Sequence, residues 1–120
     1  MTHWNPITER TVGDLVILDM SVDWVSLSDT PSRLVGRIHE LIEQGCVNVL
    51  VNLSAVRSVD SDGLGEIVRG FTDVREAGGR LALCGVTTHL RELLVTTKLD
   101  AYIPVFESER EGVRSFASPV

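Results

Sequence analysis

Hydrophobic residues in this chain fall into two alternating spacings. Two short β-rich runs, Ile7–Val12 and Leu15–Met20, flank Gly13-Asp14. A Gly-X pair between such runs predicts a hairpin closed by a two-residue type II′ turn. A further short β segment is expected at 24–27. Ser28-Asp29-Thr30-Pro31 then offers capping side chains and a proline suited to the first helical position. Leu34, Val35, Ile38, Leu41 and Ile42 follow at helical spacing, with Arg33, Arg37, Glu40 and Glu43 mostly outside that stripe. Gly45 is placed to end the helix as its C′ residue.

Residues 47–53 are almost continuously apolar, as expected of a strand buried on both faces. Leu64, Ile67, Val68, Phe71 and Val74 predict a second helix from about Gly63 to Ala77, stopped by Gly78-Gly79. Residues 81–84 form another short apolar run. Thr87 or Thr88 is expected to cap a helix carrying Leu90, Leu93 and Leu94, with Leu99 closing that segment. Residues 102–106 predict a last strand, which Pro104 places toward a sheet edge. Ser108 and Glu111 have the spacing of a capping box, opening a helix with Val113 and Phe116. The order β-β-(β)-α-β-α-β-α-β-α predicts one α/β domain over residues 1–120. Its sheet is mixed, with an N-terminal hairpin, parallel later strands and about four helices.

Composition narrows the function. At 120 residues, with 43% hydrophobic and 23% charged residues, the chain has ordinary globular composition. No apolar run approaches the roughly 20 residues that cross a bilayer, and the N-terminus lacks the basic and apolar regions of a secretory signal. A cytoplasmic protein without membrane insertion is the expectation. Eleven basic against 17 acidic residues, net charge -6 and a single lysine, Lys98, argue against nucleic-acid binding, which rests on clustered cations. Cys46 and Cys84 stand alone and read as small buried hydrophobes. His3, His39 and His89 share no ligand spacing with each other or with the cysteines, so neither metal nor cofactor is expected.

The chemistry concentrates at Val59-Asp60-Ser61-Asp62-Gly63-Leu64-Gly65, where loop becomes helix. The first N–H groups of a helix lack intrahelical acceptors and carry the positive end of its dipole. Asp62 is expected to accept from them as the N-cap, and Gly63 lets the chain turn. Ser61 sets a hydroxyl between two carboxylates, close to donors that favour an anion.

These residues, with Val49-Leu50-Val51-Asn52-Leu53-Ser54-Ala55-Val56, Ala77-Gly78-Gly79-Arg80-Leu81, Leu93-Leu94-Val95-Thr96-Thr97-Lys98-Leu99 and Val105-Phe106, resemble the STAS domain of bacterial anti-sigma-factor antagonists. The likeness covers nearly the whole chain. It implies a regulatory switch rather than an enzyme. Such a protein binds an anti-sigma factor that is also a Ser/Thr kinase, which releases a sigma factor for transcription. The kinase phosphorylates a loop hydroxyl to break the complex, and a phosphatase resets it. A second copy of the chain stays open as a partner.

This chain departs from the family pattern by carrying Asp62 where most such antagonists have the phosphorylated serine. Three consequences stay open. Asp62 imitates a phosphate in part, or meets a cationic partner, or leaves Ser61 (or Ser58) as acceptor. The expected regulatory loop is therefore Ser58, Asp60, Ser61, Asp62, Gly63, Leu64 and Gly65, with Glu66, Arg69 and Asp73 as partner-facing helix positions. The alternative is a docking subunit of a larger assembly, stressosome-like or lipid-transporting. A remote alternative is a Mg²⁺-dependent aspartyl phosphatase built on Asp60 and Asp62. That chemistry needs its loop directly after a buried strand, and residues 54–58 intervene. Ser61 has no nucleophile elbow, and Gly63-x-Gly65 lacks the third glycine of a dinucleotide fingerprint.

Overall fold

A computed structural model of the chain describes residues 7–20, 33–56, 59 and 61–117. The expected strand at 24–27 and capping segment at 28–31 lie outside the described residues. The elements in order are β1 (Ile7–Val12), β2 (Leu15–Met20), α1 (Arg33–Glu43), β3 (Asn48–Asn52), α2 (Ser61–Glu76), β4 (Arg80–Cys84), α3 (Thr88–Thr96), a 3-10 turn (Leu99–Ala101), β5 (Val105–Phe106) and α4 (Glu109–Ala117).

The five strands of the described residues form one sheet in the order β1-β2-β3-β4-β5. β1 and β2 pair antiparallel as the expected hairpin, with Gly13 at φ 60 in the turn. The remaining neighbours are parallel, each reached through a helix. Alternation along the strands divides side chains between two faces. Val16, Leu18 and Met20, with Val49, Val51, Leu81 and Leu83, face the main core beneath α1, α2 and α3. Leu15, Ile17, Leu50, Ala82 and Cys84 face the other way, toward Val113 and Phe116 of α4.

Helix ends follow the sequence signals. Gly45 (φ 84) closes α1, with its N–H donating to Ile42 O and the Cys46 N–H to Leu41 O. Thr87 caps α3, its Oγ1 accepting from the Leu90 N–H at 3.2 Å. Ser108 Oγ accepts from the Glu111 N–H at 3.2 Å, as the capping-box spacing predicts.

Two elements differ from expectation. The last strand is only Val105–Phe106, because a left-handed residue (Lys98, φ 63) and the 3-10 turn consume the chain before it. Tyr102 is thereby left exposed rather than paired. The buried line of α2 runs through Gly63, Glu66, Ile67, Gly70 and Val74. This line is rotated from the expected Leu64–Phe71 stripe because Gly70 lets α1 approach. A Cβ on Gly70 would stand 2.6 Å from Ile38 Cδ1.

Candidate functional site

The loop between β3 and α2 is fixed at its root. Leu53 N–H donates to Cys84 O and Val56 N–H to Leu53 O, both at 2.9 Å. Val56 and Val59 are buried and anchor the loop to the main core. α2 then begins at Ser61, and both Ser61 and Asp62 are exposed. Asp62 is therefore the second helical residue, not the N-cap. The helix starts two residues earlier than Gly63 because Ser61 and Asp62 themselves adopt the first turn. A carboxylate there still interacts favourably with the helix dipole. Ser58 and Asp60 lie outside the described residues. Gly63 is buried, Leu64 half-buried and Gly65 exposed.

Of the three helix positions expected to face a partner, Glu66 does not. It is 9% exposed, and its Oε1 accepts from the Val35 N–H at 3.4 Å. Val35 lies in the first turn of α1, which has no acidic residue of its own. Glu66 thus supplies, from one helix away, an acceptor for an N–H of the first turn, which has no partner within its own helix. Arg69 is well exposed, with Asp73 Oδ2 4.0 Å from its Nε. Asp73 is half-buried and also lies 2.6 Å from His39 Nε2, joining α2 to α1.

A second polar group lies at the same end of the sheet, and the sequence alone gave no reason to connect its members. Arg10 Nε donates to Asp19 Oδ2 at 2.6 Å and its Nη2 to Asp19 Oδ1 at 2.8 Å. The same guanidinium pairs with Glu109, with Nη1 3.1 Å from Oε2. Asn52 Nδ2 donates to Asp19 Oδ1 at 2.8 Å. The Arg10 guanidinium, above all, and then the Asn52 amide hold the Asp19 carboxyl below its usual range. Beside this group Cys84 is fully buried, and burial pushes its thiol up to about 11. Both cysteines are free; Cys84 is buried as expected, whereas Cys46 is half-buried. Among the described residues, no His, Cys, Asp and Glu grouping could hold a metal ion.

The STAS domain family model matches residues 17–112. The chain belongs to the STAS domain family. An anti-sigma F factor antagonist of Paenibacillus polymyxa is 28% identical over 64 residues, 53% of this chain and 55% of that one. The match therefore spans about half the length of that relative. The crystal structure of the Thermotoga maritima protein TM1081 superposes with a TM-score of 0.83 at 24% identity, covering 93% of this chain and 95% of that one. The Bacillus cell fate determinant SpoIIAA in its phosphorylated form gives a TM-score of 0.71 at 15% identity, over 92% and 98% of the two chains.

Within this STAS fold, Ser61 and Asp62 come together on an exposed helix start, while Glu66 turns away from them into the α1–α2 contact. Among the described residues, no helix is long and apolar enough to cross a membrane.

Proposed function

We propose that this STAS chain is an anti-sigma-factor antagonist that acts in the cytoplasm by binding rather than by catalysis. It docks on an anti-sigma factor of the Ser/Thr-kinase type and frees the sigma factor held there. The reading is carried by one observation: Ser61 and Asp62 are exposed together on the first turn of α2. Family membership and the name of the Paenibacillus polymyxa relative support it.

A phosphate on Ser61 adds about -1.5 to -2 charge beside Asp62. The helix N-terminus favours that charge in the free protein. In a complex the same charge must be desolvated against the partner, so the complex weakens. Asp62 contributes a fixed fraction of that repulsion in the unmodified chain.

The test is titration of the chain into the kinase-type anti-sigma factors of its own cell. Asp62→Ser is expected to tighten binding about tenfold, the scale of one unfavourable charge contact. Equal binding by both forms removes the role of Asp62. Absence of binding to every such anti-sigma factor removes the antagonist reading. Phosphopeptide mapping is the companion measurement: trypsin releases residues 58–69, whose hydroxyl side chains are Ser58 and Ser61. Phosphate is expected on Ser61.

A further inference from the structure

We infer that Asn52 is a positioning residue for the root of the connection that leads from β3 to Ser61, and that Asp19, Arg10 and Glu109 hold Asn52 in place. The inference builds on the proposed role of that loop, but its geometry stands independently of the partner.

Asn52 is the last residue of β3, and its side chain works in two directions. Its Nδ2 donates to Asp19 Oδ1 at 2.8 Å, and its Oδ1 accepts from the Ser54 N–H at 3.1 Å. The second bond fixes the backbone two residues into the loop. An amide can do both, whereas a carboxylate has no donor for Asp19 and would repel it. Strand register explains the meeting: Asp19 and Asn52 are aligned partners across β2 and β3, on the same face of the sheet.

The arrangement continues outward. Asp19 is gripped by one edge of the Arg10 guanidinium, Nε and Nη2, a bidentate geometry stronger than a single neutral bond. The remaining guanidinium edge reaches Glu109, the first residue of α4. One chain of contacts thus runs from the start of α4, through β1, β2 and β3, to the root of the Ser61 loop. Gly85 leaves the space this requires. A Cβ there would stand 3.0 Å from both Asn52 Oδ1 and the Ser54 nitrogen, and 2.9 Å from Ser54 Cβ. The loop root at Ser54 is therefore tied to both the hairpin and α4, which gives a partner seated on α4 a route toward Ser61.

The experiment is amide NMR and hydrogen exchange on the full chain, with Asn52→Ala, Asn52→Asp, Asp19→Asn, the double swap Asp19→Asn/Asn52→Asp, and Glu109→Gln. Asn52→Ala is expected to speed exchange at Ser54 about tenfold, the scale of one hydrogen bond, and to shift the Ser61 and Asp62 amides. Each single exchange of amide for carboxylate should shift them too. The double swap restores one donor and one acceptor between the positions and should bring the resonances back. Glu109→Gln should move the Asn52 side-chain NH₂ signals, whereas His39→Gln, on the α1–α2 contact, should leave them in place. Unmoved Ser54, Ser61 and Asp62 amides in the single variants would overturn the inference, as would failure of the swap to restore them. The surface change Glu109→Gln keeps the test decisive if Asn52→Ala does not fold. These readings are taken on the free protein, so their failure leaves the antagonist reading intact, and the absence of an anti-sigma partner leaves them intact in turn.

Discussion

The two faces of the sheet are built differently. The main face lies beneath α1, α2 and α3 and excludes water almost completely: Ile38, Val49, Val51, Leu53, Val74 and Leu83 are all 0% exposed. Among the described residues, the opposite face has Leu15, Ile17, Leu50, Ala82 and Cys84 buried under α4, and a polar group at the end where the parallel strands finish. Burial of apolar area is non-directional and holds the fold whatever the detailed geometry. A side-chain hydrogen-bond network contributes little net energy but fixes angles and distances. The first face therefore makes this a stable STAS fold, and the second decides where the loop at its edge sits. Substitutions should separate the two roles.

The largest effect is expected on the main face. Leu83→Ala removes a fully buried side chain beneath the helices and should cost about 2–5 kcal/mol in urea denaturation. A loss under about 1 kcal/mol would mean that this face collapses readily around a cavity and is less tightly packed than its burial implies. Gly112→Ala comes next. Its added Cβ would lie 2.9 Å from Leu50 Cδ1, so α4 or Leu50 must shift. Overpacking of this kind typically costs about 1–3 kcal/mol. Lifting α4 should also expose Cys84, whose thiol reacts slowly while buried. In a Cys46→Ser background, faster thiol labelling of Gly112→Ala checks that displacement directly.

What could be read from the sequence follows the same division. Strands and helices of the main face announce themselves through apolar periodicity, and residues 15–20, 33–43 and 48–52 fall within the stretches where the pattern placed them. Caps at Thr87 and Ser108 were legible because one side-chain oxygen at one position does the work. The orientation of α2 was not. Its buried line includes Gly63 and Gly70, and a glycine is silent in a hydrophobic pattern even when, as at Gly70, another helix rests on it. Glu66 consequently reads as an outward position in the sequence. Only the position of the α1 N-terminus, a tertiary fact, explains why a carboxylate is tolerated there. Ser61 and Asp62 were legible as a pair because they are adjacent in the chain. The Arg10, Asp19, Asn52 and Glu109 group was not, since its members are scattered over 100 positions and meet only through strand register and the docking of α4.

The smallest effect concerns acid, and it belongs to the second face alone. The Arg10 guanidinium and the Asn52 amide lower the folded-state pKa of Asp19 below its ordinary 3.8. A carboxyl depressed on folding contributes stability that is fully present above its unfolded pKa. That contribution is lost as pH falls through the folded value, because the unfolded chain takes up the proton first. Above about pH 5 the term should be constant. Below about pH 4 the stability of the natural chain should fall more steeply than that of Asp19→Asn, which has no proton to gain at this position. Arg10 is half exposed, so solvent and salt screen the pair and the difference should remain modest. Urea denaturation at closely spaced pH values between 5 and 2.5 measures it. Parallel curves for the two proteins would show that Arg10 does not hold Asp19 in solution. The hairpin and the loop root would then be joined by strand pairing alone.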